Sequence, residues 1–465
     1  MKRKKRTKSK SAPKVKRTKK PSPIIAIPLI LISLFVLIAT IYKIIEIISA
    51  NNSATDFPKL EISLTEVPIE QIDANSKDIK YPGNTATFTI NKTSTTFDDV
   101  EIKGRGNTTW QQLKKPYQIK TMDESNILNL GENKKWVLLA NYLDTTHLRN
   151  DIAFHLEKLL NEKYRSKGSF IELYIDSLYH GLYYLSDKIE ISNSRINLAD
   201  PLGIIIEIDN IHEDPTICKR SQTNDCVTIK DVVSQNYQEE AFQNFLDSFN
   251  LTIEAINKKD YYQIQNLIDI DSFAKYFLLN EFTVNPDAYS TSFYMYKDGN
   301  GDKIHAGPGW DFDLAFSNKS WVTQGVDIDS SYSPFETMFF KSYINNPEEV
   351  PYIYSLSTVI YDLMDIPEFE TKVKEIYQST LSGHKEDLLN YIKSQADYIR
   401  PAALRDQERW KLKTNFDEEV DYLIDWVSKR YDHFEEVYGQ NPTESTPTPA
   451  PESPQPELEQ PAPQD

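Results

Sequence analysis

The sequence predicts an α+β protein with two lobes: a β-rich amino-terminal lobe that contains one helix, and a mainly helical carboxyl-terminal lobe. From about residue 60 to residue 208, short runs of β-branched and aromatic residues alternate with turn formers, which is typical of strands. From about residue 235 to residue 438, apolar residues recur at helical spacing. Of the 465 residues, 39% are hydrophobic and 12% aromatic, which is enough for a large buried core.

The amino terminus has the pattern of a membrane anchor. Residues 1–23 form a basic head, with twelve Lys or Arg residues among the first twenty. Residues 24–42 contain no charge and are about as long as a helix that crosses a bilayer. A basic head favours the cytoplasmic side, so we expect a single-pass protein of the cell membrane with residues 43–59 as a juxtamembrane linker and an extracytoplasmic domain after it. A cleaved signal peptide is the alternative.

The charge of the chain limits its partners. There are 69 Asp and Glu residues against 52 Lys and Arg residues, and twelve of these basic residues belong to the head. The remainder is strongly acidic, which argues against a nucleic-acid-binding protein.

The two cysteines of the chain, Cys218 and Cys226, lie in one short polar stretch. A disulfide that closes this loop is the preferred interpretation, because His212 is the only histidine nearby and a four-ligand metal site would need more. Two unpaired thiols are the alternative.

Four strands are predicted before the first helix. Each has β-branched or aromatic residues between turn formers: Ala86–Ile90, Val100–Lys103, Tyr117–Lys120 and Trp136–Leu139. The helix is predicted to begin at Asp144, as its cap, and apolar residues repeat at helical spacing from Leu148 to Leu159. After it, the pattern predicts a hairpin of Phe170–Ile175 with Gly181–Leu185, and a buried strand at Gly203–Ile208.

The second lobe is predicted from its helical patterns. These cover Phe242–Leu251, Ile270–Phe282 and several segments between Pro351 and Tyr438. The last helix is expected to start at Asn415, which stands in capping-box spacing with Glu418, and to end at Gly439. Residues 440–465 are rich in Pro, Glu, Ser and Thr, so they are predicted to be a disordered tail.

Three acidic residues of the second lobe follow the order in which protein kinases place a proton acceptor and metal ligands. Asp287 comes after the predicted helix Ile270–Phe282 and before a predicted strand, Ser292–Tyr296. Phosphoryl transfer needs a carboxylate near the attacking hydroxyl and oxygen ligands for Mg²⁺. We interpret Asp287 as the proton acceptor, although an Asp after Pro is more often a turn former.

The motif Trp310-Asp311-Phe312-Asp313 supplies the other two acids. If the segment is extended, Asp311 and Asp313 lie on one side and could face one cation. We assign the principal metal role to Asp311, and Asp313 has a helix or turn cap as its alternative role. Ser292 occupies the position where kinases have a metal-binding Asn, and its hydroxyl is a candidate third ligand.

Several phrases of the sequence resemble the spore coat protein H-type (CotH) family of atypical protein kinases. They are Lys103-Gly-Arg105-Gly106-Asn-Thr-Thr-Trp110, Lys114-Lys115-Pro-Tyr117-Gln-Ile-Lys120, Trp136-Val-Leu-Leu-Ala-Asn141 with Leu148-Arg149-Asn150, Gly181-Leu-Tyr-Tyr-Leu185 with Asp187-Lys-Ile-Glu190, and Trp310-Asp-Phe-Asp313. The resemblance covers roughly residues 60 to 435 in order. It implies a two-lobed, atypical protein-kinase-like domain at residues 60–439 that uses ATP and Mg²⁺ to phosphorylate Ser on proteins.

The resemblance also suggests which residues hold the nucleotide. Arg105 and Gly106 follow a strand, where backbone amides and a guanidinium could contact phosphates. Of the lysines on the next strand, we favour Lys115 over Lys120, since strand alternation places them on opposite faces. Glu207 and Asp209, at the end of a buried strand, are expected to line the nucleotide pocket, and a solvated strand end is their alternative.

The preferred function is therefore a membrane-anchored kinase that transfers the γ-phosphoryl group of Mg-ATP to Ser or Thr of a protein substrate. The alternative is a binding protein at the cell surface or wall that keeps the kinase-like fold without transfer. Transfer of another group from ATP is a third hypothesis. The sequence specifies no particular acceptor protein and no oligomeric state.

Overall fold

The computed structural model describes residues 57–212, 216–318 and 357–439. The predicted basic head, the apolar segment 24–42, most of the linker 43–59 and the tail 440–465 lie outside the described residues. Among the described helices, none combines the length and the apolar character needed to cross a membrane.

Seven strands of the described region close into a barrel. They are β1 (Lys59–Ser63), β2 (Tyr81–Ile90), β3 (Thr93–Gly104), β4 (Tyr117–Asn126), β5 (Glu132–Leu139), β6 (Gly168–Ile175) and β7 (Leu178–Asp187). Their order around the barrel is β1, β2, β3, β4, β5, β7, β6. Neighbours pair antiparallel, except that β1 runs parallel to β6 and thereby closes the barrel.

Strand alternation gives the barrel wall two apolar faces. On β5, Trp136 and Leu138 belong to the core inside the barrel, whereas Val137 and Leu139 belong to a second core that includes the helices. All four side chains are buried. This wall therefore joins the barrel to the rest of the molecule.

Two helices, α1 (Ile69–Ala74) and α2 (Arg149–Leu159), accompany the barrel, where the sequence predicts one. The predicted helix start at Asp144 is wrong by five residues, since α2 begins at Arg149. The reason is that the Asp144 carboxylate accepts hydrogen bonds from the amides of Thr146 at 3.0 Å and Arg149 at 2.9 Å. Asp144 thus stabilises a turn before the helix, and its carboxylate caps the first amide of α2 although Asp144 lies five residues earlier in the chain.

A second sheet contains β8 (Gly203–Ile208), β9 (Lys219–Arg220), β10 (Cys226–Val232), β11 (Phe293–Asp298) and β12 (His305–Ala306). Its order is β12, β11, β8, β10, β9, so the apolar β8 is covered on both edges. Just before β9, Cys218 is bonded to Cys226, the first residue of β10. The preferred pairing of the two cysteines is therefore present in the structure.

Seven helices follow in the described chain. They are α3 (Gln238–Asn257), α4 (Tyr261–Leu267), α5 (Ile270–Thr283), α6 (Val359–Met364), α7 (Pro367–Thr380), α8 (Lys385–Trp410) and α9 (Phe416–Tyr438). The cap predicted at Asn415 for the last helix is confirmed, although its bonds differ from those of a reciprocal capping box. The Asn415 side chain accepts a hydrogen bond from the Asp417 amide at 3.1 Å and donates one to Glu418 at 3.0 Å.

The long helix α8 returns to the barrel and packs against β7. Its Asp406 carboxylate accepts a hydrogen bond from the Leu182 amide at 2.8 Å and forms an ion pair with Lys114 at 2.8 Å, with both charged side chains fully buried. Near the ends of the contact, Arg405 pairs with Glu172, and the Trp410 indole donates to the His180 carbonyl. The helical part and the barrel are thus joined by polar contacts as well as by a shared apolar core.

Candidate active site

A cavity of about 450 Å³ lies where the barrel meets the second sheet. Its walls come from the loop after β3, the chain after β5, the ends of β8 and β10, and the loops around residues 287–292 and 310–314. Eight residues predicted from the sequence line it: Arg105, Gly106, Glu207, Asp209, Asp287, Ser292, Asp311 and Asp313. The fold therefore brings together residues that are far apart in the chain.

Asp287 lies in the loop that follows α5, where Val284 adopts a left-handed conformation with φ of 49° and ends the helix. The loop is tight, because the Asp287 carbonyl accepts hydrogen bonds from the amides of Ser290 and Thr291 at 3.1 and 3.0 Å. Its carboxylate accepts no hydrogen bond from the described residues. Burial, with the nearby charges of Asp311 and Asp209, raises the pKa of Asp287 to about 7.

The segment that holds Asp311 and Asp313 differs from the expectation. It is not extended, because Asp311 is left-handed with φ of 66° and a turn begins at Asp313. Both side chains nevertheless line the cavity. Burial raises the pKa of both carboxyl groups; Arg105 opposes this at Asp311, whereas Asp311 and Asp287 reinforce it at Asp313.

Arg105 is the cationic group opposite these acids. Its guanidinium lies over the Trp310 ring, 5.5 Å from the centroid, and its backbone amide donates to the Pro116 carbonyl. No carboxylate of the described residues forms an ion pair with it. Next to it, Gly106 has φ of 77°, a conformation that favours glycine and that turns the loop toward the cavity.

Lys230, on β10, is a cavity residue that sequence reasoning missed. Its ammonium group lies 2.9 Å from a Glu207 carboxylate oxygen and 3.0 Å from the Tyr294 hydroxyl, which itself donates to Glu207 at 2.8 Å. Burial alone would lower the pKa of Lys230, but Tyr294 and Glu207 raise it above its usual value, so the ammonium stays charged. The alternation in Cys226–Val232 was a strand signal that places this lysine.

The two lysines considered from the sequence, Lys115 as the favoured one and Lys120, lie elsewhere. The Lys115 ammonium donates to the Trp110 carbonyl at 2.6 Å and stacks over the Trp110 ring, and Lys120 is exposed on β4. Neither lines the cavity. Their assignment as phosphate ligands stays a prediction that the cavity geometry does not support: Lys120 is exposed on β4, the Lys115 ammonium is bonded to the loop before β4, and Lys230 lies at the cavity instead.

A smaller recess of about 180 Å³ continues the cavity and shares Arg105, Gly106, Lys230, Tyr294 and Trp310 with it. Its additional side chains are mainly basic and apolar, namely Lys77, Lys103, Lys188, Val137 and Ile189, with one acid, Asp78, and the neutral Gln118. Such a combination suits a ligand with an anionic part and a flat apolar part.

The far wall of the main cavity includes Asp209, which the sequence indicated together with Glu207, and His212, which the sequence did not indicate as a site residue. Asp209 accepts hydrogen bonds from the amides of Ile211 and His212 at 3.2 and 2.8 Å, so it shapes the turn after β8. The Ser292 hydroxyl makes no hydrogen bond to the described residues, and the backbone there is left-handed with φ of 51°.

The donor set of the cavity fits a divalent cation that is bound together with phosphates. In the described ranges, no three His, Cys, Asp or Glu side chains converge as a ready cation cage. Mg²⁺ is usually bound by one or two carboxylates with waters and substrate phosphates, so such a cage is not required. Asp311 and Asp313 repel each other when charged, and a cation would relieve this repulsion.

Comparison with known proteins identifies one family for this chain. A solved structure, the Helicobacter pylori proinflammatory kinase CtkA, matches 68% of this chain and 95% of its own length at 11% identity, with a TM-score of 0.22. At that score the two backbones do not superpose as wholes, so the likeness says nothing further about this chain. No curated protein matches. A family model described as CotH kinase protein matches residues 102–434, which include every cavity residue named above. The chain belongs to the CotH kinase protein family.

Proposed function

We propose that this protein is an atypical protein kinase that transfers the γ-phosphoryl group of Mg-ATP to a Ser or Thr hydroxyl of a protein. The observation that supports it most is the Asp287 carboxylate, which has a pKa of about 7 and lines the same cavity as Arg105, Lys230 and Asp311. A general base works best when its pKa lies near the working pH. Membership of the CotH kinase family supports the same class of reaction.

Eight of the cavity residues have a role in this proposal. Asp287 accepts the proton of the acceptor hydroxyl as the bond from its oxygen to the γ-phosphorus forms and the bond from that phosphorus to the leaving ADP oxygen breaks. Arg105 and Lys230 contact phosphate oxygens and offset their charge, while Glu207 and Tyr294 hold Lys230 in place. Asp311, with Asp313 and Ser292, would hold Mg²⁺, which would offset the negative charge of the phosphates and the charge that develops during transfer.

The smaller recess gives the nucleotide room beyond its phosphates. We infer that the base lies against Val137 and Ile189, because apolar side chains from a strand and from the chain after β7 meet there. Lys188 stands at the same place; burial lowers its pKa to about 8. A positively charged rim beside an apolar floor also favours a nucleotide over an uncharged ligand.

The test is transfer of label from γ-labelled ATP to Ser- and Thr-containing acceptor peptides by the purified full chain. We expect Asp287→Asn to reduce turnover by at least about 1,000-fold, which is the order of magnitude that loss of a general base costs. ATP should still bind to this variant. Asp311→Asn should abolish Mg²⁺-dependent transfer. The exposed Asp397→Asn on α8 is the matched control and should leave turnover unchanged.

A binding protein without transfer remains the competing proposal. It predicts neither label transfer nor a rise in melting temperature with Mg-ATP, since a ligand that does not bind cannot stabilise the folded state. If the acceptor gains mass from ATP without gaining the γ-label, the reaction is transfer of a different group. Intact mass of the acceptor separates these outcomes.

We also propose that residues 24–42 anchor the protein in the cell membrane and leave the catalytic domain outside the cytoplasm. The support is the uncharged, apolar run behind a basic head. Protease added to intact cells should then remove the domain, and it should leave the domain intact if the topology is reversed.

A further inference from the structure

Helix α2 contacts the segment that holds Asp311 at two places. A Glu157 carboxylate oxygen accepts a hydrogen bond from the Gly309 amide at 2.6 Å, and the Asn150 side-chain oxygen accepts one from the Phe312 amide at 2.9 Å. The two acceptors are about two helical turns apart and lie on one face of α2. One rigid element therefore fixes the backbone on both sides of Asp311.

Asn150 is itself held in place. It is only 2% exposed, and its amide nitrogen donates to the Asn141 side-chain oxygen at 3.4 Å. The next residue back, Arg149, donates to the Ala315 carbonyl at 2.8 Å, beyond the other end of the acidic motif. Asn150 also lines the cavity, so it lies between α2 and the cavity that Asp311 and Asp313 line.

The conformation of Asp311 explains why such support matters. Its φ of 66° is unusual for a residue with a side chain and persists only where the surroundings impose it. If the Phe312 amide loses its acceptor, a buried donor is left without a partner, and rotation of the Asp311 backbone becomes the simplest way to satisfy it. The direction of the carboxylate then changes.

We propose that Asn150 is a positioning residue for Asp311: by accepting the Phe312 amide, it fixes the carboxylate in the orientation that binds the divalent cation. The inference rests on the proposed function only in that a cation binds at Asp311. It does not require that transfer takes place, so binding of the cation can be measured by itself.

The experiment is a titration of the full chain with Mn²⁺, followed by electron paramagnetic resonance, with a non-hydrolysable ATP analogue present throughout. We compare Asn150→Leu, which removes the acceptor at similar volume, with Asn150→Asp, which keeps an acceptor for the Phe312 amide. Asp151→Asn is the matched control, because Asp151 is the neighbouring buried residue and contacts Tyr184 and Tyr391 instead of the acidic motif.

We expect Asn150→Leu to weaken Mn²⁺ binding at least tenfold, and Asn150→Asp and the control to stay within about threefold of the wild type. If Asn150→Leu does not fold, Asn150→Ser tests the same point, since its hydroxyl is too short to replace the bond. Turnover should fall with Mn²⁺ affinity while the KM for the acceptor peptide stays constant.

Three results would overturn the inference, and they differ in what else they overturn. Wild-type affinity for Mn²⁺ in Asn150→Leu or Asn150→Ser would contradict the positioning role alone. Absence of Mn²⁺ binding in the wild type would contradict the cation site, and with it the proposed function. A loss in Asn150→Leu that Asp151→Asn matches would show a general effect of packing and also overturn the inference.

Discussion

At the scale of single residues, the Asp287 carboxylate sets a pH dependence for turnover. With a pKa of about 7, it is half protonated near neutral pH, and only the deprotonated form accepts a proton. We therefore expect kcat/KM to rise with pH below about 7 and to level off above it. The measurement is a pH profile from 5.5 to 8.5 with saturating Mg²⁺; a flat profile would exclude Asp287 as the base.

The same shift predicts a pH dependence of stability. Because the pKa of Asp287 is raised on folding, the folded state holds the proton more tightly than the unfolded chain between about pH 4 and pH 7. The free energy of unfolding therefore falls as pH rises through that window. Relative to the wild type, Asp287→Asn should gain on the order of 2–4 kcal/mol at pH 8 and little at pH 4. Urea unfolding at both pH values measures this, and an equal effect at both would contradict it.

Substitutions of Lys230 and Lys120 compare the phosphate ligand that the cavity suggests with one that the sequence suggested. Lys230→Met should raise the KM for ATP at least tenfold, because it removes the cation that Glu207 and Tyr294 hold at the cavity. Lys120→Met, on the exposed face of β4, should leave the KM within about twofold. Initial-rate kinetics on matched preparations decide between them. The reverse order of effects would restore the lysine of the barrel strand as the phosphate ligand.

At the scale of elements, single strands and helices could be predicted from the sequence, whereas pairing between distant segments could not. Gly203–Ile208 and the capped helix after Asn415 were found from the sequence because alternation, helical spacing and capping act locally. Closure of the barrel by β1 and β6 depends on two strands far apart in the chain, for which no local signal exists. Lys230 was missed for a simpler reason, since the strand that holds it was not predicted.

The candidate site shows the same difference between local and long-range features. The acids Asp287, Asp311 and Asp313 were recognisable by their order, and they line one cavity. The extended conformation expected for the Asp311 segment was wrong, because α2 imposes a left-handed turn through bonds that only the folded structure creates. Residue order thus identified the acids, and tertiary contacts determine their orientation.

The loop closed by Cys218 and Cys226 is an element whose contribution can be measured. Closing a loop of this length should stabilise the folded state by about 2–3 kcal/mol in the chain-entropy account. The Cys226 amide also donates to the Asn210 side chain, one residue after the cavity residue Asp209. We expect the double variant Cys218→Ser/Cys226→Ser to lose that much stability in urea unfolding. Equal stability of the double variant would show that the bond does not constrain the loop.

At the scale of the whole molecule, the buried ion pair between Asp406 of α8 and Lys114 should couple the helical part to the barrel, so that both unfold in a single transition. Asp406→Ala leaves Lys114 without its counter-charge in a fully buried place, which typically costs about 3–5 kcal/mol. We expect the double variant Lys114→Met/Asp406→Leu to recover much of that loss, because no charge is then buried. A double-mutant cycle in guanidinium measures the coupling. Additive effects of the two single variants would contradict it.

This contact also has a consequence for how the chain is made. Leu182, in the wall of the barrel, and its partner Asp406 are 224 residues apart in the sequence. A ribosome synthesises the whole barrel well before it reaches α8, so during that interval Lys114 has no counter-ion and β7 has no cover. The nascent barrel is therefore incomplete as a folding unit, and a chain that stalls before α8 presents a chaperone or a protease with a buried charge that has not yet been paired.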